Sequence, residues 1–260
     1  MFKILKYSFF DLMRSRWSYV YFVFYLALGI VLLFLNNDTS KAVITLMNII
    51  IILTPLIGTT FGVMYYYNSR EFTELLLAQP LQRKTIFLGQ YFGVSLSLSL
   101  SLVLGLGIPF LAYGVLGSGA IVNFLTLLLT GAFLTFIFVA LAFNIALSHE
   151  NKIKGFGYAI LLWLFLAVIY DGIFLISVMV LQQYPLDKFS LIGSILNPID
   201  LSRILILLKL DISALLGYTG AVFKKFFGTN VGVITSISVL TLWVVLPVVR
   251  IIYKAKRKDF

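Results

Sequence analysis

The side chains that could do chemistry in this sequence are few, and they fall into three groups. Glu71, Glu74 and Arg83 belong to the stretch Glu71-Phe72-Thr73-Glu74-Leu75-Leu76-Leu77-Ala78-Gln79-Pro80-Leu81-Gln82-Arg83, which lies between two long apolar runs. Asn197, Pro198, Asp200, Arg203 and Asp211 form a second group. Asp171 is the one ionisable residue well inside an apolar run. Intramembrane proteolysis would need paired acids, a Ser/His dyad or a metal motif, and the sequence carries none of these. The absence of cysteine excludes disulfides, thiolate metal sites and thiol catalysis. No Gly-Lys pair occurs, so the phosphate-cradling Gly-x-x-x-x-Gly-Lys-[Ser/Thr] loop is absent as well. The chain is therefore not expected to be an enzyme, and nucleotide chemistry would have to come from a partner.

The elements that position these groups follow from composition. The chain has 260 residues, is 61% hydrophobic and only 12% charged, where a soluble domain has about a quarter charged residues. Its mean hydropathy is +1.04. The apolar residues gather into blocks of the length a bilayer requires, about 20 residues each. An all-α polytopic membrane protein of a single domain is expected, with six spans at roughly 17–35, 42–67, 86–116, 121–147, 156–182 and 231–253. Gly105, Gly107 and Pro109 are expected to kink the third. The apolar run from Trp17 ends in Asn36-Asn37-Asp38 without a small-residue cleavage site, so it reads as a retained span and not a signal peptide.

The net charge of +10 is explained by topology better than by nucleic acid. With the N-terminus inside, fourteen of the 20 Lys and Arg fall on the cytoplasmic side, and five of the remaining six lie in one long loop. Both termini are then cytoplasmic. Before the first span, Phe2, Leu5, Phe9 and Leu12/Met13 recur at helical spacing among Lys3, Lys6 and Arg14. That pattern fits a helix lying in the headgroup layer of the lipid bilayer, or a basic tail that only sets topology.

The stretch at 69–80 reads as a short amphipathic helix. Asn68 is the expected cap, with Glu71 at the third position as in a capping box, Glu71 and Glu74 near the positive end of the helix dipole, and Pro80 as the stop. Phe72, Leu75, Leu76 and Gln79 form one stripe. Such a helix either anchors the loop or docks another protein.

The segment 183–230 is apolar but too interrupted by charge to span. Asn197-Pro198-Ile199-Asp200 is a helix start, with Asn as cap and Pro at the first position, and Asp200 can pair with Arg203 one turn on. Asp211 can cap a second helix towards Phe227, ended by Gly228. These helices are expected in the outer interface or over the mouth between subunits.

In the remaining spans, Asp171 serves either a conduit or a polar contact, unless the span ends early and leaves it near the outer surface. Ser95, Ser97, Ser99 and Ser101, with Gly58-x-x-x-Gly62 and Gly89-x-x-x-Gly93, favour close helix packing over a polar lining. His149 closes the fourth span, where a cation is favoured.

Glu-Phe-Thr-Glu-Leu-Leu-Leu-Ala-Gln-Pro-Leu-Gln-Arg-Lys resembles the coupling helix of ABC type-2 permeases. That family has six spans, an amphipathic N-terminal helix and a long outer segment between spans five and six. The resemblance implies that Glu71, Glu74, Leu75, Leu76, Pro80 and Arg83 form the face that couples to a separate ATPase. Leu-Asn-Pro-Ile-Asp-Leu-Ser-Arg-Ile resembles the Asn-Pro-x-Asp-x-x-Arg stretch of the NosY permeases of nitrous oxide reductase maturation. That implies a homodimer in a bacterial cytoplasmic (inner) membrane, two copies of a NosF-like cytoplasmic ATPase holding ATP and Mg, and a periplasmic NosD-like partner in copper-site assembly. Asn197, Pro198, Asp200, Arg203 and Asp211 would then meet the outer partner or form a gate. With no Cys, one His and five Met, the chain offers no ladder of copper ligands, and no metal or other cofactor is expected on it. The alternatives are a permease of another type-2 exporter and a membrane scaffold that transports nothing.

Overall fold

The computed structural model describes residues 1–36, 39–117, 119–181, 187–209 and 230–257. Among them the chain is helical and holds no strand. In chain order the helices are α1 (Phe2–Arg14), α2 (Arg16–Leu35), α3 (Thr39–Asn68), α4 (Arg70–Leu77), α5 (Arg83–Ala112) and α6 (Ile121–Ser148). Then come α7 (Lys152–Leu164), a π turn (Phe165–Ile169), α8 (Tyr170–Val180), α9 (Asp187–Ile195), α10 (Pro198–Lys209) and α11 (Asn230–Arg257).

Six stretches are long and apolar enough to cross a membrane: Arg16–Leu35, Lys41–Asn68, Arg83–Ala112, Ile121–Ser148, Lys152–Val180 and Gly232–Lys256. The architecture is that of a multi-pass membrane protein, and the expected spans correspond to these one for one. The third departs most, ending at Ala112 instead of residue 116. Gly114 adopts φ +86° and its N–H donates to Leu111 O at 3.1 Å, a left-handed stop that a residue with a Cβ resists. Pro109 sits inside α5 without ending it.

The third span is the centre of the bundle. Within the 18-residue apolar window of each span, 67% of the residues are buried in the third, against 17% in the fifth and 22% in the sixth. Ser95, Ser97, Ser99 and Ser101 are all buried, while Leu96, Leu100 and Leu104 between and beyond them face outward. The serines thus widen the buried face of α5 beside Leu98 and Leu102, which are buried as well, and let neighbouring helices approach closely.

The glycines show how close that packing is. A Cβ on Gly89 would lie 2.9 Å from Ile4 Cβ, and one on Gly93 would lie 2.6 Å from Ser8 Cβ. About three turns further along, Gly105 abuts Tyr25 and Pro109 abuts Gly29, so α1 and α2 run along α5 in succession. Gly58 and Gly62 do the same for α3 against Thr135, Phe138, Val139 and Ala142 of α6.

The N-terminal helix also packs on the bundle. It buries Ile4, Ser8 and Leu12 against its own subunit, while Phe2 is exposed and Leu5, Phe9 and Met13 are half-buried beside them. The contact that wins is the close approach to Gly89 and Gly93, which shifts the buried stripe by one residue from the most apolar one.

Gly93→Val should detach α1 and lower stability by about 1–3 kcal/mol. Gly107→Ala, whose Cβ would meet nothing within 4 Å, should leave stability unchanged. Thermal unfolding in detergent measures both, and equal effects would refute the packing account.

Candidate functional site

The segment between spans five and six is built on α8. Phe174 stacks on Phe189 at 6.1 Å, Tyr170 Oη donates to Gly193 O at 2.6 Å, and Asn197 Nδ2 donates to Leu166 O at 2.8 Å. Each step of four residues up α8 meets a step of four down the partner, so α9 runs antiparallel to α8. Leu166 is the fifteenth of the 29 residues in Lys152–Val180. On the opposite side Trp243 Nε1 donates to Ile195 O at 3.1 Å, and Trp243 is the fourteenth of the 28 residues of α11. Two separate contacts thus set the tip of the α9–α10 hairpin level with the middles of spans five and six.

The expectation of helices in the outer interface or over the mouth between subunits does not include a tip at this depth. After a bend of 112°, α10 buries Ile199, Leu201, Ile204 and Ile206 against α3, α6 and α11. Its apolar content is high enough to enter the bundle, and its polar start is satisfied there. Leu166 lies in the π turn, an irregularity that often marks a functional position in a helix.

The hairpin tip gathers the second and third groups of polar residues into one cluster. Asn197 is fully buried; its Oδ1 accepts from Ile199 N–H at 3.1 Å, the expected cap, and its Nδ2 also donates to Asp200 Oδ2 at 2.9 Å. Pro198 opens α10. Arg203 Nη1 lies 2.9 Å from Asp171 Oδ2 and 3.6 Å from Asp200 Oδ1. The expected Asp200–Arg203 pair is therefore present, but the shorter contact goes to Asp171, 32 residues away in sequence. One guanidinium holds two carboxylates, one on each side of the α8–α10 junction. Asp171 is paired with Arg203 and partly exposed. Asp211 and the helix expected from it to Phe227 and Gly228 lie outside the described residues.

The first group lies at the opposite end of the bundle, on α4. Asn68 is the last residue of α3, and its Oδ1 accepts from Lys152 Nζ at 3.0 Å instead of capping α4. The residue at the cap is Ser69, with φ −90° and ψ 11° and no side-chain cap bond. Cap geometry needs an extended residue there, whereas the chain passes from α3 into α4 almost without a break: Thr73 N–H donates to Ser69 O and Ser69 N–H to Tyr65 O, both at 2.9 Å. Glu71 is consequently the second helical residue and no capping box forms. The helix ends at Leu77, short of the expected residue 80, because the residue before Pro80 is disfavoured in helical conformation.

One face of α4 is anchored. Gln90 Nε2 donates to Thr73 Oγ1 at 2.8 Å in a buried contact, and Phe72 stacks on Tyr7 of α1 with centroids 4.5 Å apart. The other face is open: Leu75 is 68% exposed, and Glu71, Glu74, Gln79 and Pro80 are exposed with it. Arg70 Nε pairs with Glu74 Oε1 at 2.9 Å, which raises the Arg70 guanidinium above its ordinary value. Leu76 is half-buried, and Arg83 begins α5. The expected stripe is thus divided, with Phe72 turned inward and Leu75 outward.

Gln90 and Asn144 were not singled out from sequence, though an amide inside an apolar span is a signal. Asn144 Nδ2 donates to Pro247 O at 2.7 Å and ties α6 to α11. His149 is the C-cap of α6, its Nδ1 3.0 Å from Ile145 O, and Tyr67 Oη donates to its carbonyl at 2.6 Å. Among the described residues no cluster of His, Cys, Asp or Glu is grouped to hold a metal ion.

No protein-family model matches the chain, and a search of curated proteins found no match.

Asn197→Ala should loosen the hairpin tip by about 1–3 kcal/mol, because Leu166 O and Asp200 lose a buried donor. The native chain has no cysteine, so a single Ile199→Cys reports directly. Its maleimide labelling should speed up about tenfold or more in the Asn197→Ala background, and an unchanged rate would show that the amide does not hold the tip. A double-mutant cycle of Asp171→Asn and Arg203→Gln should give a coupling of about 1 kcal/mol or less, since both groups keep some solvent contact.

Proposed function

We propose that this chain is the permease subunit of a type-2 ABC transporter, most similar to the NosY permeases. A cytoplasmic NosF-like ATPase would dock at α4 and drive motion of the bundle. The observation that carries the reading is the two-sided character of α4. A helix held rigidly by Thr73 on Gln90 and Phe72 on Tyr7 still leaves Leu75 open beside Glu71 and Glu74. An apolar side chain ringed by charge on a rigid mount suits a protein partner better than a loop that merely turns.

The mount also supplies a route for motion. A push on α4 reaches α3 through the nearly continuous backbone at Ser69, α5 through Gln90, and α1 through Tyr7. Spans two and three would then move as a unit. At the far end, α10 packs on α3 and is tied to α8 by Arg203, so the hairpin would follow. The thinly buried fifth and sixth spans leave apolar area for a second copy of the chain. With the ligand-poor composition noted above, motion passed to a periplasmic NosD-like partner is a better reading of a role in copper-site assembly than passage of the metal through this subunit.

Copurification with a candidate cytoplasmic ABC ATPase tests the reading. Glu74→Lys should weaken association more than tenfold while leaving the fold intact, because the Arg70–Glu74 pair is exposed and contributes little. Charge reversal at Glu71, Glu74 and Arg83 together should abolish association. Association that survives the triple reversal would reject docking at α4 and favour a membrane scaffold.

A further inference from the structure

A cavity of about 470 Å³ lies between α6, α11 and the tip of the α9–α10 hairpin. Leu141, Trp243, Leu246 and Pro247 form its apolar walls, Ile195 sits at its upper part, and Arg250 is at the other end. We propose that this slot binds one acyl chain of an anionic phospholipid, with the lipid phosphate paired to Arg250.

Three features select this occupant. The first is length. From Val239 to Arg250 the slot follows α11 for eleven residues, or about 16 Å at 1.5 Å per residue. One leaflet's share of a hydrocarbon core is about 15 Å. The second is the place of the hairpin. The bond from Trp243 Nε1 to Ile195 O brings the hairpin against the wall of the slot one helical turn from its Val239 end, near the middle of span six. The third is charge. Arg250 is exposed and has no ion-pair partner among the described residues, and it stands where the apolar wall gives way to Lys254 and Lys256. A slot that is apolar except for Asn144, flanked by the hairpin near the bilayer centre and cationic at its mouth has the outline of a single anionic lipid. Leu246, 65% exposed, leaves its side open to the bilayer.

The proposal rests on the membrane-spanning architecture and not on ATPase docking, so either can fail alone. A bound tail would press against Ile195, and thus support the hairpin that carries Asn197 and Asp200.

Trp243 lies in the slot and can report on it. In Trp17→Phe/Trp163→Phe protein reconstituted in phosphatidylcholine vesicles, brominated phosphatidylglycerol should quench Trp243 at about fivefold lower mole fraction than brominated phosphatidylcholine. That is the selectivity one cation near the surface provides. Arg250→Gln should erase the difference. Native mass spectrometry of the unsubstituted protein should retain one phosphatidylglycerol per chain, lost in Arg250→Gln, and this measurement stands if the tryptophan variant misfolds. Equal potency of the two lipids, or a preference that survives Arg250→Gln, would overturn the assignment. So would efficient Leu246→Cys crosslinking between two copies with no lipid quenching of Trp243, which would make the slot an interface between copies.

Discussion

The structure depends on how closely other helices approach α5. Lipid tails are as apolar as leucine, so burying leucine gives membrane helices little reason to associate, and close van der Waals contact becomes decisive. Gly89, Gly93 and Gly105 let α1 and α2 lie with their backbones almost against α5. The buried serines extend the same narrow surface. With α1 and α2 fixed in this way, Tyr7 is positioned to meet Phe72, and α5 presents Gln90 to Thr73. The mount of α4 is therefore a consequence of small residues on a neighbouring span.

The second constraint is the satisfaction of polar groups at depth. A hairpin entering the bundle from one side must bring partners for its turn, because exposed backbone in hydrocarbon is costly. Asn197 does this with one side chain: it caps α10, bonds Asp200 and donates to Leu166 O. Arg203 then balances Asp200 against Asp171. The hairpin is held by a few directional contacts on α8 and α11 and by broad apolar burial on α3 and α6.

The six spans were legible because apolar run length is a one-dimensional property. Their ends moved by a few residues where a local event intervened, such as the left-handed Gly114 after α5. The cap at Asn197 was legible for the same reason, since Asn-Pro-x-Asp encodes its own hydrogen bonds. The cap at Asn68 was not, because Ser69 keeps a nearly helical conformation and Asn68 turns to Lys152 from across a loop. Which face of α1 packs on the protein was not legible, because it depends on fit against Gly89 and Gly93, which favours Ile4 and Ser8.

By itself, the sequence determined the membrane-spanning class, the number of spans and the existence of an amphipathic helix between the second and third, since each follows from composition and local periodicity. It also supplied every residue of the polar cluster. Only tertiary structure decided that Asp171 meets Arg203, that the segment between spans five and six dips to the middle of the bundle, and which side of α4 stays open. Those outcomes depend on pairings between distant segments, where geometry and not residue type selects the partner.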